Sequence, residues 1–141
     1  MEREELFTVN VKIESVVDLK NHAGDSVVMI LFTGNAAGKY FEGQVLPGGV
    51  DTQIIGRSGD SHALSARYML KGKAYTGERC KLFIENNGNM NNSPQGMLFR
   101  TQPRIITNSK ALDFLNHALL EGEGYPAEGG VKVVIYRSAL E

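Results

Sequence analysis

From Leu6 to Val16 the chain alternates, with Phe7, Val9, Val11 and Ile13 apolar and Thr8, Asn10 and Lys12 polar between them. Successive side chains of an extended strand point to opposite faces, so a period of two marks a strand with one buried side. Ser26 to Thr33 is β-branched and apolar and reads as a second strand, buried on much of both faces. Tyr40 to Leu46, Val50 to Arg57, Ala63 to Leu70, Arg79 to Glu85, Met97 to Thr107 and Val131 to Ser138 continue the series, with Gly-, Asn- or Pro-bearing turns between them. Glycines 34, 38, 43, 48 and 49 crowd the third run, where the backbone is expected to bend or to approach a neighbour closely. About eight short strands joined mostly by turns exclude the alternating βαβ pattern of a parallel sheet. The expected fold is all-β: a closed antiparallel β-barrel, preferred to a sandwich because closure removes exposed edges and glycine supplies the bends.

One segment departs from this rhythm. Between Ser109 and Leu120, Leu112, Leu115 and Leu119 stand at helical spacing, and Ala111, Phe114 and Ala118 widen the stripe. Ser109 can cap such a helix and Gly122 can end it, so one helix is expected near the C-terminus, packed at a barrel end. Asn86 to Asn92, with five asparagines in seven residues, reads as a polar hairpin loop.

A chain of 141 residues is one domain, 1–141, with room for a single core. Fifteen Lys and Arg against sixteen Asp and Glu leave a net charge of −1, so no positive field draws nucleic acid or an anionic membrane, and neither is expected as a partner. Cys80 is the single cysteine and cannot form an intramolecular disulfide; it reads as a small core residue. The start, Met1-Glu2-Arg3-Glu4-Glu5, lacks the basic and apolar stretches of a signal peptide. The longest apolar run, Val27 to Phe32, is far short of the roughly 20 residues of a spanning helix. A cytoplasmic setting is expected.

Several chemistries lack their motifs. Gly34-Asn35-Ala36-Ala37-Gly38-Lys39 has three residues between its glycines where a phosphate loop needs four, and Tyr40 follows the lysine. No G-x-G-x-x-G opens a helix, and Ser58, Ser61 and Ser65 sit in no nucleophile elbow. His22, His62 and His117 have no metal-ligand spacing; His62 reads as an exposed turn residue and His117 as a polar helix position. No cofactor and no metal are expected.

The informative charges lie between Tyr40 and Leu70, a stretch without lysine although the chain has eight. Its charges are Glu42, Asp51, Arg57, Asp60 and Arg67. Arginine and aspartate hold rigid hydrogen-bond geometry and suit sites where charge is fixed or partly buried. On a regular strand Asp51, Gln53 and Arg57 share one face. Arg67-Tyr68 on the next strand and Arg100 further on could converge with them. The bland reading makes these residues the solvated half of amphipathic strands, with arginines in weak surface ion pairs.

The run from Gly38 through Pro47-Gly48-Gly49-Val50-Asp51, then Gln53, Arg57, Asp60 and Ala66-Arg67-Tyr68, resembles the bacterial and fungal family catalogued as domain of unknown function 3237. Phe99-Arg100-Thr101 with Pro103, Phe114-Leu115-Asn116 and the strand from Val131 to Tyr136 extend the resemblance over nearly the whole chain. Thr52 stands where the family pattern has an aromatic. The resemblance implies a closed antiparallel barrel with a helix at one end, and Asp51, Gln53, Arg67, Tyr68 and Arg100 gathered toward the lumen. It implies no family-wide activity.

On this reading the barrel encloses a small-molecule pocket. Arg67 and Arg100 would anchor a carboxylate or carbonyl oxygen, Tyr68 would donate a further hydrogen bond, Gln53 would line the site, and Asp51 would be the catalytic proton acceptor. Asn116 either reaches the pocket or satisfies a loop carbonyl. The expected reaction is proton transfer beside a carbonyl, of isomerase, cyclase or lyase type. The alternative is a non-catalytic ligand-binding or carrier barrel, which would be lined mainly by Phe, Leu, Ile and Met. A homo-oligomer is compatible with a small barrel, though no residue demands one.

Overall fold

A computed structural model describes residues 2–91 and 93–138. Among them nine strands follow one another: β1 Arg3–Lys20, β2 Ser26–Ala37, β3 Phe41–Val45, β4 Val50–Ile55, β5 His62–Ala74, β6 Arg79–Asn89, β7 Phe99–Thr107, β8 Leu120–Ala127 and β9 Gly130–Ser138. Every pairing is antiparallel. The order β1-β9-β8-β7-β6-β5-β3-β2 returns to β1, which pairs with β2 from Thr8–Ala37 to Lys20–Ser26, so the sheet forms a ring.

Between β2 and β5 one place in the ring is filled twice. β3 pairs with the far ends of both neighbours, and β4 pairs with the other stretches, Ser26–Leu31 of β2 and His62–Arg67 of β5. Leu46 to Gly49 links them, and Gly48, at φ +106°, takes a backbone conformation that a side chain disfavours. Residues directly opposite in adjacent strands share a face. The inward face of β1, β2, β5, β6, β7 and β9 carries Phe7, Val9, Phe32, Leu64, Leu70, Leu82, Ile84, Ile105, Val133 and Ile135, all buried.

The expected barrel of about eight strands with a C-terminal helix is corrected on two counts. There are nine strands, and the added one is β8, whose Gly122, Gly124 and Pro126 hide it from a β-propensity reading. The stretch expected as a helix is irregular and holds one 3₁₀ turn, Asp113–Asn116. Leu112 and Leu115 are buried, as a spacing of three requires, whereas Leu119, four residues on, is 65% exposed. The backbone groups here are held by side chains: Glu78 accepts from Ser109 Oγ at 2.6 Å and from the amides of Lys110 and Ala111 at 3.1 Å each. Ser109 Oγ accepts from the Leu112 amide at 3.0 Å, but it caps no helix: the N-cap of the 3₁₀ turn is Leu112, and no side chain caps it.

The asparagine-rich segment is corrected as well. Asn86 to Asn89 belong to β6, and Asn86 is buried; Asn92 lies outside the described residues. No helix among the described residues is long and apolar enough to cross a membrane.

Candidate functional site

The register decides which polar residues face the interior. Asp51 stands opposite Ile30 of β2 and Ala66 of β5, and Ala66 stands opposite Asn86 of β6. Gln53 is opposite Val28 and Leu64, and His62 shares that face at the start of β5, opposite Ile55. Tyr68, two residues beyond Ala66, points the same way, its ring edge-on to Phe32 with centroids 5.1 Å apart. Asp51, Gln53, Tyr68 and Asn86 border a cavity of about 80 Å³, walled by Ile30, Phe32, Leu64, Leu98, Phe99 and Val133 among others, and His62 stands behind Gln53, outside its lining.

Asp51, Gln53 and Tyr68 therefore meet at one cavity. Arg67, Arg100 and Asn116 do not reach it. A strand alternates, so Arg67 beside inward Tyr68 points outward, where its Nη2 lies 2.9 Å from Glu85 Oε2 with 65% of the side chain exposed. Arg100, beside inward Thr101, faces an outer groove bordered by Arg3, Glu121 and Glu123. Arg57 lies beyond the end of β4 and is exposed. Asn116 accepts from the Thr107 amide at 2.8 Å and donates to the Thr107 carbonyl at 3.4 Å, the loop-satisfying alternative of the two foreseen for it. The predicted cluster of guanidinium groups around Asp51 is absent.

In its place stand side chains that sequence reasoning missed. Gln53 Nε2 donates to Asp51 Oδ2 at 2.9 Å, and Gln53 Oε1 lies 2.6 Å from His62 Nε2. The His62 backbone is fixed from both sides, its amide donating to Asn91 Oδ1 at 3.1 Å and its carbonyl accepting from the Met90 amide at 2.9 Å. His62 is thus part of the site and not the exposed turn residue its neighbours suggested. The available signal was the parity of 62, 64, 66 and 68 along one strand. Asn86 and Thr101 were also missed; they sit on the inward parity of β6 and β7, masked by an asparagine run and by Arg100.

Four buried side-chain atoms have no protein hydrogen-bond partner among the described residues: Asp51 Oδ1, Tyr68 Oη, Asn86 Oδ1 and Thr101 Oγ1. They lie on the inward faces of four consecutive positions, β4, β5, β6 and β7. Tyr68, Asn86 and Thr101 are 5%, 2% and 4% exposed. Burial pushes the Asp51 carboxyl above its ordinary value, against the lowering pull of the Gln53 hydrogen bond and the His62 charge. Burial alone drives the Tyr68 phenol strongly upward, so it stays a protonated donor. Among the described residues no Lys or Arg borders the cavity. No group of three or more metal-ligating side chains occurs among the described residues.

The chain is thus an all-β ring around a small, mostly apolar cavity bordered by a few inward polar groups. The chain belongs to the family described as protein of unknown function DUF3237, whose model matches residues 1–138. Over 90 residues it is 31% identical to a UPF0311 protein of Clostridium acetobutylicum, a match covering 62% of this chain and 54% of that protein, so the chain spans about half the length of the curated relative it matches. Three solved structures share the fold. A protein of unknown function from Clostridium acetobutylicum superposes with a TM-score of 0.82 at 24% identity, over 99% of this chain and all of that one. A protein from Acinetobacter baumannii described as β-barrel-like gives 0.80 at 19% identity, over 96% and 94% of the two chains. A protein from Penicillium herquei described as an enzyme gives 0.73 at 15% identity, over 96% and 92%. The fold is accordingly barrel-like.

Proposed function

We propose that the cavity binds a small uncharged carbonyl compound and that Asp51 moves a proton to and from the carbon beside its carbonyl. The observation that carries this reading is that three buried, protein-unpartnered polar atoms, Asp51 Oδ1, Tyr68 Oη and Asn86 Oδ1, belong to residues bordering the same cavity. Each such atom costs about 1–3 kcal/mol, and a fold keeps several together where something else is meant to engage them. The outward Arg67 and Arg100 favour a carbonyl over a carboxylate, because a second anion beside Asp51 would meet no compensating cation.

In the step itself, Asp51 Oδ1 takes the proton from the carbon adjacent to the carbonyl. The C–H electron pair becomes the C=C bond and the carbonyl π pair moves onto oxygen, where the Tyr68 hydroxyl donates a hydrogen bond to the growing negative charge. Asp51 then returns the proton to another carbon of the conjugated system, and the net change is an isomerisation. The raised carboxyl suits this work, because a base with a pKa nearer neutrality accepts and returns a proton readily. The Penicillium herquei protein, described as an enzyme, supports the view that this architecture accommodates chemistry.

A second reading, a carrier of apolar molecules, is favoured by the apolar side chains that make up most of the wall. The test for the site is a pair of crystal soaks, with cyclopentanone and with cyclopentanecarboxylate. Ketone density inside the ring, its oxygen within hydrogen-bond distance of Tyr68 Oη, is expected, with no carboxylate there. Carboxylate in the interior, or ketone only in the groove beside Arg100, would overturn the proposal.

A further inference from the structure

We infer that His62 is a positioning residue: through Gln53 it holds the Asp51 carboxyl so that Oδ2 is occupied and Oδ1 is turned free toward the cavity. The inference rests on Asp51 being the reacting group and assigns which of its oxygens reacts.

The argument is one of donors and acceptors. As the base that takes up a proton, Asp51 is a carboxylate that only accepts, so the Gln53 atom 2.9 Å from its Oδ2 is the NH₂ group. The amide oxygen then faces His62, and since that oxygen only accepts, the ring nitrogen 2.6 Å away must carry a hydrogen. The chain of hydrogen bonds therefore runs in one direction, from His62 Nε2–H to Gln53 and from Gln53 to Asp51 Oδ2. A free amide could flip and offer its oxygen to the carboxylate; the imidazole donor opposes that flip. His62 can exert this hold because Asn91 and Met90 fix its own backbone at the start of β5.

Nothing else on the interior competes for the role. The other polar groups facing Asp51 from the packed strands are Tyr68 on β5 and Asn86 on β6, and both carry atoms without protein partners. The facing residues of β2, Val28 and Ile30, are apolar.

The test follows the Asp51 carboxyl by ¹³C NMR through a pH titration in the wild-type protein, in His62→Phe and in His62→Gln. Phenylalanine keeps a ring but donates nothing; glutamine restores a donor. The Asp51 midpoint should rise by about half a unit or more in His62→Phe and return part of the way in His62→Gln. A midpoint unmoved in His62→Phe would overturn the inference. A second readout needs no variant: the ¹⁵N shifts of the His62 ring should show a proton on Nε2. An Nε2 without a proton would equally overturn it. Neither measurement uses a ligand, so a protein that bound no ketone would fail the functional proposal while still deciding this one.

Discussion

Asp51 is where function and stability pull apart. Its carboxyl is raised above the ordinary 3.8 because burial disfavours the charged form more than Gln53 and His62 favour it. A carboxyl raised in the native state contributes stability that is whole below its unfolded value and is lost as pH rises through the native one. Where that carboxyl is ionised, the fold opposes its charge. Asp51→Asn should raise Tm at pH 7 by roughly 2–4 °C, corresponding to about 1 kcal/mol, and the gain should shrink toward pH 3.5. Thermal unfolding at the two pH values checks both the sign and the trend; a lower Tm for the variant at pH 7 would make Asp51 structural. Asp51 and Gln53 on one face were legible from strand parity alone. The same parity denies Arg67 a place beside Tyr68, and Arg100 one beside Thr101, since neighbours on a strand cannot both point inward. Residue type suggested convergence there, and backbone geometry overrules it.

At the scale of elements, eight strand runs could be read because alternation and β-branching are local signals. Strand β8 could not, because its stability comes from neighbours: Gly122 leaves room for the Thr101 side chain and Gly124 for the Phe99 ring, both of which a Cβ would displace. The stretch from Ser109 to Leu120 misled for the opposite reason. Its leucines satisfy a helical period, yet Glu78 and Asn116 claim the backbone groups around it, and no α-helix forms. The Glu78 carboxyl is held below its ordinary value, first by the Ser109 hydroxyl and then by the Lys110 and Ala111 amides. A lowered carboxyl contributes stability that is present above its unfolded value and is lost as pH falls through the native one. Glu78→Gln should accordingly lower Tm at pH 7, and the gap from wild type should close toward pH 3; a gap that persisted there would mean Glu78 acts by packing and not by charge.

For the whole molecule, ring closure turns a modest set of polar residues into an enclosed one. Each of β4, β5, β6 and β7 presents one protein-unpartnered polar atom inward among the described residues, while the arginines that dominate the sequence reading, Arg57, Arg67 and Arg100, stay outside the cavity. Composition says more about the outside, since alternating strands place most of their charged side chains in water. It says little about the interior, where four uncharged or partly buried groups matter more than any ion pair. The most direct measurement is deuterium uptake at the α-carbon of cyclopentanone in D₂O, followed by ¹H NMR with wild type, Asp51→Asn and Arg67→Ala. Wild type and Arg67→Ala should exchange alike, and Asp51→Asn should be slower by about 100-fold or more. Equal rates in wild type and Asp51→Asn would contradict the account.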